Sequence, residues 1–296
     1  MTMFAVVCLT LLGGMAIMPE FSEPITDDPD PDGTDQLDPV NPSDFLDILI
    51  EYGDETDQDM LGTAGMDRIF GDLGDDYLAG FDGDDELIGG QGDDTVLGGA
   101  GNDTLAGQDG HDELQGDGGS DILNGGFGND TILAGSGDDI ATGGQGNDIA
   151  DGGQGNDALH GNDGDDTLLG GIGHDSLFGG AGDDIVYGDD DADTDYLNGG
   201  QGNDQLHMGE NYIASGGSGS DVFYHTTQSG TAEITDFDPN VDRIVLSAQY
   251  TELPDIQIIK HKQGCYGVIL NDTACLTVHS SAPLSADMIE LRTTSA

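Results

Sequence analysis

Between residues 62 and 187 the apolar and polar positions follow a nine-residue period. In "GGQGDDTVLGGAGNDTLAG", residues 89–107, one apolar side chain recurs behind each glycine-rich acidic stretch, first Val96 and then Leu105. Fourteen consecutive units run from Gly62 to Tyr187 without a slip in phase. Within them position four is always glycine, position six always aspartate and position eight always apolar. A run such as "TVL" at 95–97 predicts a short strand of three residues, whose middle side chain points one way and whose neighbours point the other. The glycines ahead of it allow left-handed backbone and predict a six-residue turn with carbonyl oxygens aimed inward. If each turn reverses the chain, two units make one coil and the inward residues form two rows. One row is Ile69, Leu87, Leu105, Leu123, Ala141, Leu159 and Leu177; the other is Leu78, Val96, Leu114, Ile132, Ala150, Leu168 and Val186. The thin core is weakest near Ala141 and Ala150, where Ile140 and Ile149 compensate only if the strand tilts. At a coil spacing of about 4.8 Å, seven coils make a rod roughly 30–35 Å long.

After Tyr187 the period loosens. "GDDDADTDYLN" inserts two residues before Asp195 and Leu197 restore the pattern, and its Asp189, Asp190, Asp191 and Asp193 read as a loop rather than an extra ion site. A regular unit at Gly199 carries Asp204, a degenerate one surrounds "MGENYIAS", and "GGSGSDVFY" carries Asp221. Residues 225–296 hold four of the five basic residues, and "RIVLS", "DIQIIK", "YGVIL" and "CLTVH" predict a small antiparallel sheet capping the repeats. Ahead of the repeats, residues 44–61 mix Phe45, Leu46, Ile48, Leu49 and Ile50 with acids, as expected of an N-terminal cap. Residues 19–43 hold six of the nine prolines and read as an extended acidic linker. Within it "DPDPDG" imitates the start of an EF-hand-like loop but has Pro39 at the twelfth position. Residues 1–18 carry no charge, sit at the lower limit of a membrane span, and lack the basic start and small-residue cleavage site of a signal peptide. With only acids downstream, they are expected to form an uncleaved anchor that leaves everything after Met18 outside. The final "SADMIELRTTSA" is a candidate secretion signal, although the apolar start argues for a different export route.

Composition changes the picture from a repeat to a charged repeat. The chain has 60 Asp+Glu against 5 Lys+Arg, a formal net charge of −55, which excludes nucleic acid as a partner. Such a charge opposes collapse unless cations neutralise it, and hard divalent ions that take oxygen ligands are the obvious candidates. One turn cannot supply the six to eight oxygens of a calcium ion, but two stacked turns can. The candidate ligands are the position-six aspartates Asp67, Asp76, Asp85, Asp94, Asp103, Asp112, Asp121, Asp130, Asp139, Asp148, Asp157, Asp166, Asp175 and Asp184, followed by Asp195, Asp204 and Asp221. Position two departs from glycine at Thr63, Asp72, Phe81, Gln108, Asp117 and Asn162, and the first unit, "GTAGMDRIF", is the least regular site. His111 and His174 at position five read as isolated solvent-facing histidines rather than ligands for a softer metal.

The nonapeptide resembles the hemolysin-type calcium-binding repeat of the RTX proteins, strictly over 62–187 and loosely to Tyr224. The resemblance implies an all-β chain folded as a right-handed parallel β-roll, a β-solenoid, with a small C-terminal β-rich cap. It implies several calcium ions held between like turns of successive coils by the position-six aspartates and glycine-loop carbonyls, and release from bacterial cells. "GTAEITDFDPNVDRIVLS", residues 230–247, looks like the β-rich region that often follows the last repeat in such proteins.

A secreted or surface-exposed calcium-binding module without catalysis is therefore the leading expectation. An enzyme of this group would carry a catalytic region, yet H-E-x-x-H and G-x-S-x-G do not occur and no stretch outside the repeats exceeds about 75 residues. A calcium-dependent adhesin for polysaccharide or a cell surface, or an accessory fragment of a secreted RTX enzyme, is the alternative. Ice binding is disfavoured because the outward row Thr95, Glu113, Thr131, Ile149, Thr167, Ile185 breaks the threonine ladder. Cys265 and Cys275 flank a turn-like "NDT", and both a hairpin disulfide and two buried thiols remain open.

Overall fold

The nine-residue period becomes an eighteen-residue coil. Val96 pairs with Leu114 and Leu105 with Leu123, each in parallel register eighteen residues on. Along the coils alternate strands join opposite sheets, which among the described residues have 14 and 12 strands. The computed structural model describes residues 49–188, 193–226, 230–248, 256–261, 264–270 and 273–293. Residues 46–296 form one compact unit. The expected anchor 1–18, the linker 19–43 and Asp189, Asp190 and Asp191 lie outside the described residues. Among the described residues no helix is long and apolar enough to cross a membrane.

Both expected rows face inward, from Ile69 to Leu177 and from Leu78 to Val186, with every member at most 1 % exposed. A parallel β-roll follows from that alternation. Each coil contributes one aliphatic side chain from either sheet, and a one-residue slip would turn both rows to solvent. The core is thin at Ala141 and Ala150. Ile140 and Ile149 are each 47 % exposed and do not fill it. Ile140 stays in register with Ile122 on one side and Ala158 on the other, which keeps its side chain on the outer face.

Strands run longer than the expected three residues. Thr95–Ala100 has six, because the backbone at positions two and three of the next unit also pairs between coils, as Gly99 does with Phe81. Only positions four to six remain as the turn. At position four, Gly92 has φ 130° and faces the carbonyl of Gly74 one coil earlier, too close for any Cβ. Beyond Thr63 in the first unit, position two also takes positive φ: Asp72, Phe81, Gln108, Asp117 and Asn162 adopt 78°, 80°, 86°, 68° and 80°. For L side chains this is strained, and Phe81 is a bulky, half-exposed case. Phe81→Gly is expected to stabilise the loaded protein by about 1 kcal/mol, strain relief outweighing the extra unfolded-state entropy. A raised thermal midpoint checks this; a lowered one would mean that packing of the ring dominates.

Past the repeats the coil continues. Arg243–Ala248, the "RIVLS" run, pairs in parallel with Val222–Thr226 and then with Ile289–Thr293, rather than joining an antiparallel sheet. The antiparallel part is a meander of Ile256–Lys260, Cys265–Leu270 and Thr273–Ser280, docked in parallel on Ala232–Phe237. The C-terminal "DMIELRT" thus includes a strand of the roll. The hairpin around Cys265 and Cys275 is present, but no disulfide forms. Cys265 faces His279, whereas Cys275 sits at a register shift near the turn with its thiol donating to Val268 O at 3.3 Å.

At the other end, Ile50–Tyr52 and Asp59–Leu61 pair with Arg68–Leu73 and Tyr77–Asp82, giving each sheet its first strand. On the outside of the second sheet Tyr187, His207 and Tyr224 stack in line with centroids 4.2 and 4.5 Å apart.

Candidate metal centre

Each position-six aspartate immediately precedes a strand, where the chain leaves the turn and aims the next side chain but one into the core. Its own carboxylate is turned under the glycine turn. All seventeen candidate aspartates are at most 3 % exposed. They form two rows, one along each edge of the roll. Asp67, Asp85, Asp103, Asp121, Asp139, Asp157, Asp175 and Asp195 line one edge; Asp76, Asp94, Asp112, Asp130, Asp148, Asp166, Asp184, Asp204 and Asp221 line the other.

The two carboxylate oxygens differ. Oδ1 accepts the backbone N–H of the aspartate one coil earlier, as Asp103 does from Asp85 at 2.8 Å and Asp112 from Asp94 at 2.8 Å. This bond stitches the coils together and fixes the carboxylate plane. Oδ2 meets no hydrogen-bond donor among the described residues at Asp76, Asp85, Asp94, Asp103, Asp112, Asp121, Asp130, Asp139, Asp148, Asp157, Asp166, Asp184 and Asp204. A buried acceptor without a partner is costly, and a charged one more so.

The orphaned oxygens face a hollow that only glycine leaves open. A Cβ placed on Gly152, at position one, would lie 2.6 Å from Asp157 Oδ2 and 2.5 Å from the carbonyl oxygen of Gly170 in the next coil. Carboxylate and carbonyl oxygen thus converge from two stacked turns. Hard oxygens alone, negative charge and no donor make a set suited to calcium and unsuited to softer metals. Ala134 breaks the position-one glycine row in the strict repeats. It is fully buried, and its methyl group occupies the equivalent hollow beside Asp139. That exception was visible in the sequence, but its meaning depends on where a Cβ at position one points.

Burial is the main force on these groups. Asp112, Asp121, Asp157, Asp166 and Asp204 are pushed up to about 7, first by desolvation; their backbone N–H partners pull down, and neighbouring carboxylates push up again. The same forces raise Asp85, Asp94, Asp148 and Asp184 to about 6.

Both rows end differently from their middles. Asp67 has its oxygens taken up by the N–H of Leu49 and by the N–H and hydroxyl of Thr63, the position-two exception of the first unit. At the far end Asp242 continues the second row: its Oδ1 accepts from Asp221 N–H at 3.0 Å and its Oδ2 from Asp238 N–H at 2.7 Å. Sequence reading missed Asp242, although "DRIV" repeats the D-x-U-x half of the unit. On the first edge Tyr212 takes the place of the aspartate after Asp195, and its fully buried ring lies against Gly188.

Position five forms an outer ladder beside each inner row. Its side chains accept the backbone N–H of the next coil: Asp93 from His111, Asn102 from Ser120, Asn147 from Asp165. His111 and His174 belong to this ladder and are not isolated. Their Nδ1 atoms accept from Asn129 N–H at 2.7 Å and Thr194 N–H at 2.9 Å, the role that Asp and Asn play elsewhere.

Residues 61–210 match, in overlapping blocks, the profile of the RTX calcium-binding nonapeptide repeat. The chain belongs to this family of calcium-binding repeat proteins. A comparison with curated proteins gives no match.

Proposed function

We propose that the chain is an extracytoplasmic, non-catalytic structural module in which the aspartates from Asp76 to Asp221 hold a double row of calcium ions. The observation that carries this is the set of buried, unpartnered Oδ2 atoms, which at Asp76, Asp85, Asp121, Asp130, Asp157, Asp166 and Asp184 meet a carbonyl oxygen of the next coil across the glycine hollow. Bound calcium supplies the positive charge that these oxygens lack. Asp67 and Asp242 close the rows, since backbone and hydroxyl donors already occupy their oxygens. Extracellular modules of this kind bind with dissociation constants of about 10⁻⁴–10⁻³ M. The fold is thus formed at millimolar calcium and not at cytoplasmic levels. A structural role is supported by the C-terminal strands, which pair into the roll instead of building a separate domain.

Calorimetric titration of the full chain with calcium tests this, with uptake of many ions per chain expected. Saturation at one or two ions would overturn the double row. Ala134 sharpens the test. Ala134→Gly is expected to reopen the hollow beside Asp139 and raise the ion count by one or tighten binding there, while Gly152→Ala closes a hollow and lowers it. Native mass spectrometry at matched calcium reads both changes.

A further inference from the structure

The end of the roll carries a second donor set, of nitrogen and sulfur rather than oxygen alone. Cys265 lies directly opposite His279 on the antiparallel strands Cys265–Leu270 and Thr273–Ser280. The adjoining residues Ser280 and Gly264 are hydrogen-bonded, Ser280 N–H donating to Gly264 O at 2.9 Å. Cys265 and His279 are therefore a non-hydrogen-bonded pair, the arrangement that brings facing side chains closest, with Cβ atoms about 4.5–5.5 Å apart. Tyr266, Val268 and Leu270 face the core, so Cys265 and His279 share the outer face.

His261 joins them from the other side. Its N–H donates to Cys265 O at 2.8 Å, which places it opposite Cys265 at the end of Ile256–Lys260. Its ring leans over the strand where Gly267 has no side chain: Nε2 is 3.0 Å from the point a Cβ on Gly267 would occupy. On the far side, His279 Nε2 pairs with Glu233 Oε1 at 2.7 Å. Histidine held by a carboxylate through one ring nitrogen presents the other, Nδ1, as a more basic ligand.

We propose that His261, Cys265 and His279 bind one borderline-soft divalent ion of the zinc class, with Glu233 orienting His279. Thiolate and imidazole select such an ion over calcium, so this site does not compete with the aspartate rows and does not rest on their assignment. Zinc–nitrogen and zinc–sulfur bonds of about 2.0–2.3 Å suit ligands on adjacent strands. The donor atoms of the described residues do not already converge on one point. Loading therefore turns the exposed His261 and the half-buried Cys265 and His279 about their own side-chain bonds while the strands stay paired. Cys275 takes no part, being buried with its thiol on Val268 O.

The test uses the full chain, calcium-saturated and kept reduced, with Co²⁺ as the probe. Expected is a thiolate-to-cobalt charge-transfer band that saturates at one ion and is displaced by Zn²⁺. Cys265→Ser should abolish the band and Cys275→Ala should leave it intact. His261→Ala and His279→Ala should each weaken cobalt binding by at least about tenfold, and Glu233→Gln by about tenfold, in proteins whose calcium-loaded circular dichroism is unchanged. Cobalt uptake without the band would overturn the proposal, since the acidic edges can bind it through oxygen. So would a band that survives Cys265→Ser, or unaltered affinity in both histidine variants.

Discussion

Chelation of calcium at neutral pH is expected to abolish the far-UV β signal of the repeat region, and about 1 mM calcium to restore it. Magnitudes decide this. Each buried acceptor left without a partner costs about 1–3 kcal/mol, more when charged. Over the thirteen orphaned Oδ2 atoms the penalty is on the order of 13–39 kcal/mol, against a usual net stability of about 5–15 kcal/mol. The thin core cannot absorb that, with one aliphatic side chain per unit and alanine at 141 and 150. At about 1 mM calcium and a dissociation constant of about 10⁻⁴ M, each site contributes about 1.4 kcal/mol to the loaded fold, on the order of 18 kcal/mol over thirteen sites. Circular dichroism in EDTA and in calcium measures the outcome. A β signal that persists unchanged in EDTA would mean that the stacked coils hold without a cation.

Much of this was legible because each repeat position has a single physical task. Position eight reads as core since nothing else in the unit is apolar in every copy, and both inward rows appear where the period places them. The position-six row was legible as a carboxylate row, but not the inequality of its two oxygens. That depends on Oδ1 meeting an N–H eighteen residues away, as Asp103 meets Asp85, and a linear sequence does not show which oxygen is left over. Position five misled for the same reason. His111 looks like an interruption among Asp and Asn until the next coil shows that Nδ1 and a carboxylate oxygen do the same work. The boundary of the roll was hidden by loss of the glycines. Once Asp242 and Ile244 stand alone in a "DRIV" fragment, only the pairing of Arg243–Ala248 with Val222–Thr226 reveals another coil.

Without calcium, acidification is expected to do part of the cation's work. In EDTA the β signal should grow as pH falls from neutral to about 5, above the isoelectric point near 4.1. The sign follows from burial. Asp112, Asp121, Asp157, Asp166 and Asp204 hold their protons up to about 7 in the fold, against an ordinary 3.8. Between these values the folded chain binds more protons than the unfolded one, so the stability they add is complete below about 3.8 and is lost as pH rises through 7. Protonation also gives the carboxyl an O–H to donate, toward the carbonyl of the next coil. With calcium present the direction reverses, because ligands must be deprotonated and acid competes for them. The two pH curves of β signal, in EDTA and in calcium, should therefore converge on the acid side and separate at neutrality. An EDTA sample that stays unfolded down to about pH 5 would show that repulsion among the outer acids at position five, and not the buried rows, holds the chain open.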